Sequence, residues 1–401
     1  MLGTIYVGLA GMNAYSRGLD IISNNVANLN TTGFKSSSGT FSDVVNRNSG
    51  GATRGSPGTG MSGAGVQVSD EELNLKQGDR QATSDQFDAA VFGNGFFVLE
   101  RDGQRYYTRA GDFELKDGVL VEKRTGAKVM MSNSGSSMGE LNVDAYRVSQ
   151  PQATTEVKIA GNLARTGTES PSDLTIAVHD SSGNTTDVKL HLVRNGENPL
   201  LWAVSVLDKD NQTIGSGSLL FNADGTPAAE NTAITVTVTP EGLPAFTFTL
   251  SFGTAGTYGG ATSLVNNGNS ALSLLKKDGR ALGIAGTYLF DERGNLEITY
   301  TNTEKQKIGR LVLARVDSGA DLTSIGDGLY VMKEGSSPRL SAAMEQGLGT
   351  VQGGNVELSN VVLTDEFTQL IIIQRGYQAC SQMTSVANEM MQQLLAMQGG
   401  K

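Results

Sequence analysis

Cysteine is almost missing from this 401-residue sequence: Cys380 is the only one, so no intrachain disulfide can staple the fold. A lone cysteine inside an apolar helical pattern acts as a small packing residue. Tryptophan occurs once and proline eight times, and there are only two histidines. Those two, His179 and His191, fall in strand-like runs with no cysteine near them, which is poor material for a metal centre even if the strands make them neighbours. There is no G-x-S-x-G elbow for a nucleophilic serine and no G-x-x-x-x-G-K-S/T loop to cradle phosphate. The expectation is therefore no enzyme, no cofactor and no metal. Charge is sparse as well, at 18% of residues with a formal net charge of −10, and no run of Lys or Arg exceeds two. Phosphate backbones need basic patches, so nucleic acid is not an expected partner. No stretch approaches about 18 consecutive apolar residues, which argues against membrane insertion. The N-terminus lacks the charged region and apolar core of a cleavable secretory signal.

What is abundant is glycine, 51 residues where average usage gives roughly 28. With little proline and many Ser, Thr and Asn, this composition suits turn-rich β structure with neutral polar surfaces. The two ends read differently. Between Thr364 and Met397 there is no proline and one glycine, Gly376. Leu363, Phe367, Leu370, Tyr377, Met391 and Leu394 recur at steps of three and four, with Cys380 and Ala387 between them, as one stripe of a long helix. Thr364 is the expected cap, with Asp365 and Glu366 in the first turn where the helix dipole favours negative charge. At the other end Ile5, Leu9, Met12, Leu19, Ile22 and Val26 are spaced in the same way. The remaining faces of both segments are rich in uncharged polar residues and glycine rather than Lys and Glu, as if each helix is to be covered. Two such segments suggest a terminal coiled coil. Ordinary core packing inside one domain fits the same pattern.

Asn24, Asn25, Asn28 and Asn30 cluster where the first helix ends, and Gly33 suits a tight or left-handed turn. Phe34 and Phe41 then anchor a polar segment, and residues 48–65 form a loop with seven glycines in eighteen residues. From Gly93 to Met131 the sequence reads as a meander, with Asp102-Gly103 and Asp117-Gly118 as hairpin turns. Pro151 marks a boundary. Beyond it, strands at roughly ten-residue spacing run to about Leu282, and the first β style then returns. The chain thus reads as nested and mainly β with α-helical termini. Residues 1–30 and 360–401 form a coiled coil, 31–75 and 345–359 a connecting region, 76–150 and 283–344 a first β domain, and 151–282 an inserted one. Both β domains are expected to be antiparallel and sandwich-like or barrel-like.

Several short blocks carry a resemblance. Ser23-Asn24-Asn25-Val26-Ala27-Asn28 with Thr32-Gly33-Phe34-Lys35, and Gly354-Asn355-Val356-Glu357-Leu358-Ser359-Asn360 with Gln374-Arg375-Gly376-Tyr377-Gln378-Ala379, resemble the ends of the bacterial flagellar rod and hook axial family. Gly93-Asn94-Gly95-Phe96-Phe97 and Tyr107-Thr108-Arg109-Ala110-Gly111-Asp112-Phe113 resemble that family's shared β domain. The resemblance extends over about a third of the chain, at both ends and in the first β domain, and the insert carries none of these blocks. The insert's length places the chain nearer the hook members than the shorter rod members. The resemblance implies a tubular homopolymer outside the cell that joins rod to filament and transmits torque as it bends. It also implies export without a cleaved signal through the flagellar export apparatus, and rod, hook-cap and hook-filament junction proteins as partners. A distal rod subunit, or a β-rich adhesin or binding module, is the alternative, and Trp202 is expected in a core rather than on a sugar-binding platform.

Overall fold

The computed structural model describes residues 2–46, 62–69, 71–133, 137–165, 174–230, 232–240, 242–265 and 270–398. Most of the glycine-rich loop, residues 48–61, lies outside the described residues. The fold is mainly β with one long helix at each end, α1 (Leu2–Ala27) and α2 (Leu363–Gln398). Four glycines lie inside α1, at 3, 8, 11 and 18. Each costs about 1 kcal/mol of helix stability relative to alanine, so α1 is held by what packs on it rather than by propensity. Helix α2 starts two residues earlier than a Thr364 cap implies. The amides of Asp365 and Glu366 bond to the carbonyl of Val362, which puts Thr364 inside the first turn instead of at the cap.

The chain forms two compact units. The first comprises Met1–Ala145, Thr287–Ile298 and Gln306–Lys401. Its β part is built on strand Phe96–Arg101, whose first four residues are all buried, as the run Phe-Phe-Val-Leu dictates. This strand pairs antiparallel with Gln104–Thr108, Lys128–Val129 and Lys305–Arg315. Both Asp-Gly pairs form two-residue hairpin loops with Arg101 opposite Gln104 and Lys116 opposite Val119. All four turn residues have positive φ, from 50° to 77°, the mirror-image turn that matches strand twist. Phe96, Val98, Tyr107, Val312, Ala314 and Tyr330 share one core.

The second unit comprises Tyr146–Gly286 and Thr299–Lys305. Strands Leu174–His179, Thr185–Arg194, Leu201–Leu207 and Thr213–Leu220 form an antiparallel meander in chain order. A second sheet contains Ala233–Val238, Phe246–Ser251, Glu156–Asn162, Ala261–Thr262 and Ala271–Lys277. Strict alternation turns Val188, Leu190 and Leu192 of one sheet, and Val236, Phe248 and Leu250 of the other, into a single core. Trp202 sits in it, 1% exposed, which removes it as a surface platform. The expectation of a purely antiparallel insert fails at one strand: Glu156–Asn162 runs parallel to both Phe246–Ser251 and Ala261–Thr262. Parallel pairing needs a long crossover, and the whole meander lies between these strands in sequence. The two histidines are not cross-strand neighbours. His179 pairs with Thr185, six residues before His191 on the same strand. No cluster of metal-binding side chains occurs among the described residues.

Candidate assembly surface

The two ends of the chain meet through their smallest residues. A Cβ placed on Gly11 would stand 2.6 Å from the Cys380 sulfur, and one on Gly18 2.8 Å from Ile373 Cδ1. Gly8 faces Thr384, and Gly376 of α2 faces the ring of Tyr15. Asn25 near the end of α1 donates to Glu366 at the start of α2, 3.0 Å. As the contact moves forward along α1 it moves backward along α2, so the helices lie antiparallel and closely packed. An adjoining face of α1 rests on the hairpin Phe41–Asn46 and Ser62–Val68, with Ala14, Ile21 and Val68 in one cluster and Tyr15 against Phe41, ring centroids 5.3 Å apart.

Large apolar side chains are left outside this packing. On α1, Ile22 is buried and Ile5, Met12 and Val26 are half-buried, but Leu9 and Leu19 are exposed. On α2, Leu370 and Met391 are half-buried, while Phe367, Tyr377 and Leu394 are exposed. Buried Ile373 and Ala387, and the contact residues Gly376 and Thr384, make the inner stripe of α2. Reading large residues as the inner face therefore selected in part the outer one. Tyr6, Ile371, Ile372, Met383, Val386, Met390, Leu395 and Met397 add to the exposed apolar surface, with Tyr6 75% and Leu395 62% exposed. Gln374, Arg375 and Gln378 are exposed among them.

Below the helices the three motif blocks converge. Gly33 has φ of +69°, and a Cβ there would collide with the backbone of Ala110. Its amide donates to the Glu357 carbonyl, 2.7 Å. This turn aims Lys35 inward, where its ammonium donates to Glu357 Oε1 at 2.6 Å and to the Lys76 carbonyl at 2.5 Å. Arg109 reaches Glu357 Oε2 at 3.2 Å and the Gly93 carbonyl at 2.7 Å, and lies over the Phe96 ring. Gly78 N–H donates to the same carboxylate, 2.9 Å, and the Lys35 amide donates to the Tyr330 hydroxyl, 3.1 Å. Side chains of Lys35 and Glu357 are 0% exposed and Arg109 2%. Burial, and then the Arg109 charge, bring the Lys35 ammonium down to about 8, and burial pushes the Tyr330 phenol up to about 12. Burial likewise lowers Arg109 from its ordinary value.

The asparagines serve the same junction. Asn25 is 2% exposed; it donates to the Ser37 carbonyl and accepts from the Ser37 amide. Asn28 donates back to Asn24. Asn360 accepts from the Ser36 amide at 2.7 Å and donates to the carbonyls of Asn74 and Lys76. Phe34 is buried beside them, and Asn355 opens the strand Asn355–Glu357, which pairs with Arg80–Ala82. Lys35, Arg109 and Glu357 carry no role in the sequence reading, although each lies in a quoted block. The signal for two of them is a single charge set in a neutral stretch, Gly-Phe-Lys-Ser and Asn-Val-Glu-Leu.

Three family matches fall on these structures. The family described as flagella basal body rod protein matches residues 5–35. Flagellar hook protein FlgE/F/G D1 domain matches 90–162, and flagellar basal body rod FlgEFG protein C-terminal matches 352–397. The flagellar hook protein FlgE of Borreliella burgdorferi is 27% identical over 439 residues, covering 98% of this chain and 99% of its own length. That of Salmonella typhimurium is 26% identical over 417 residues, covering 96% and 98%. The crystal structure of Helicobacter pylori flagellar hook protein FlgE2 aligns with a TM-score of 0.48 at 14% identity, over 68% of this chain and 99% of that one.

Proposed function

We infer that this chain, which belongs to the flagellar rod and hook axial protein family, is a structural subunit of the bacterial flagellar hook. Relatives carrying that name align along nearly its whole length, and the two terminal family matches fall on α1 and α2. The observation that carries the assembly role is the exposed apolar row on the helical pair. A lone soluble chain gains nothing by presenting Tyr6, Leu9, Ile371, Ile372, Val386 and Leu395 to water, whereas neighbouring copies can cover them. In this reading the terminal helices form a coiled-coil layer that lines a tube, and the β units lie outside it. The four-part division at residues 30, 75, 150, 282, 344 and 359 belongs to the same proposal, as do Ile5, Leu9, Met12, Leu19, Ile22, Val26, Phe367, Leu370, Tyr377, Met391 and Leu394 as polymerisation residues. Rod, cap and junction proteins are the partners at the ends of the polymer. The export apparatus delivers the chain to the cell exterior without a cleaved signal.

Torque transmission through a bending tube needs subunit contacts that exchange at little cost. Neutral Ser, Thr, Asn and Gly surfaces offer near-equal hydrogen bonds in several registers, where ion pairs favour one. Imaging of the assembled tube tests this: contacts between outer units should differ from protofilament to protofilament, and identical contacts everywhere would rule it out. The helices are tested by substitution. Leu394→Asp puts a charge on the outer face of α2, so the monomer should melt as before and form no tubes by electron microscopy. Leu370→Asp strikes the half-buried stripe and should loosen α2 from α1 as well. Tubes formed by both variants would overturn the proposal.

A further inference from the structure

A polar cleft of about 480 Å³ opens in the first unit where α2 begins. Four acids line it, Glu72, Asp317, Asp365 and Glu366, and no Lys or Arg does. Asp317 already pairs with Arg315 and Arg339. Among the described residues Glu72, Asp365 and Glu366 have no cationic partner. Glu366 is the unusual member: it is only 7% exposed, and while Oε1 accepts from Asn25, Oε2 has no hydrogen-bond partner. Burial raises its carboxyl above the usual range, with Asp365 adding to the rise. A buried oxygen without a donor costs stability, and native proteins rarely leave one so.

Such an oxygen, beside two further unpaired carboxylates, calls for a charged donor. A guanidinium fits best, because its fork meets a carboxylate with two parallel bonds and it loses less on desolvation than an ammonium. The helices carry one cation each, Arg17 on α1 and Arg375 on α2. Both are exposed and neither has an ion-pair partner among the described residues. We propose that the cleft receives the Arg17 or Arg375 side chain of a neighbouring copy, closing a guanidinium–carboxylate contact on Glu366 that exists only in the polymer. The inference rests on the assembly reading above. It adds a polar register to an otherwise apolar contact, and a single buried polar pair is a known means of fixing how helices align.

The test uses full-length chains: wild type, Glu366→Gln, Arg17→Gln, Arg375→Gln, and each arginine variant combined with Glu366→Gln. Sedimentation gives the critical concentration for polymerisation, and circular dichroism gives monomer melting. Glu366→Gln keeps the shape and the Asn25 bond, so monomer melting should hold or rise while the critical concentration rises about tenfold, equivalent to 1.4 kcal/mol. One arginine variant should give the same rise, and its combination with Glu366→Gln should add nothing further. Additive effects, or two inert arginine variants, overturn the proposal, the latter with an active Glu366→Gln leaving a free cation as the occupant. Loss of monomer melting in step with polymerisation would make Glu366 a fold residue and also overturn it. A wild-type chain that never polymerises would sink the assembly reading itself, and this contact with it.

Discussion

Glu357 stands between two cations, and all three side chains are out of water. Removing one partner from a buried ion cluster leaves charge uncompensated at roughly 3–5 kcal/mol. Glu357→Gln strands both Lys35 and Arg109, so urea denaturation should show a loss of that size; a change under about 1 kcal/mol would mean the cluster is not dry. The neighbours predict a pH signature. Lys35 in the folded chain loses its proton near 8, and in the unfolded chain near 10.5, so between these values the unfolded state holds the extra proton and stability rises with pH. Tyr330 acts oppositely: the unfolded phenol ionises from about 10 and the folded one from about 12, so stability falls across that window. The advantage of the wild type over Tyr330→Phe should be level up to pH 10 and shrink above it. None of this was legible in sequence, because Lys35 and Glu357 lie 322 residues apart and only the fold makes them neighbours.

Elements were more readable than their contacts. Asp-Gly pairs announced two hairpins, because positive φ at both turn positions admits few other residues. Both helices were visible from the absence of proline and the helical spacing of apolar residues. Which face turns inward was not, since the pattern weighs side-chain size and the seam is made of glycines. A Gly8, Gly11 and Gly18 edge lets backbones approach, and bulk accumulates on the far side. Gly11→Val fills the space occupied by the Cys380 sulfur, and overpacking of this kind costs about 1–3 kcal/mol. Amide exchange should accelerate in α1 and α2 while the second unit keeps its protection. Unchanged exchange in both helices would show that the seam gives way freely. The parallel strand Glu156–Asn162 was hidden for another reason: alternation reports which face is buried, not the direction of the neighbour.

For the whole molecule, the ion cluster decides where the chain can be cut. Trimming to residues 41–353 removes Lys35 and Glu357 and leaves Arg109 without its carboxylate, whereas residues 31–361 keep all three. The longer fragment should be monomeric and fold stably. The shorter one also loses the Asn355–Glu357 strand and buried Phe34, so it should be weaker by more than Glu357→Gln, and equal melting of the two would contradict the cluster's role. The two units differ in what they were readable for. The second carries strand and turn chemistry that specifies a sandwich and nothing about a task, while the first carries the motif blocks. The separation of Lys35 from Glu357 has one more effect. Protein chains are made from the N-terminus, so both cations exist long before their carboxylate does. A chain broken off between residues 109 and 357 keeps two positive charges it cannot neutralise and lacks one of the two helices. The last fifty residues thus bring the missing carboxylate and the second helix together, so a truncated chain lacks the buried ion cluster and the helical pair at once.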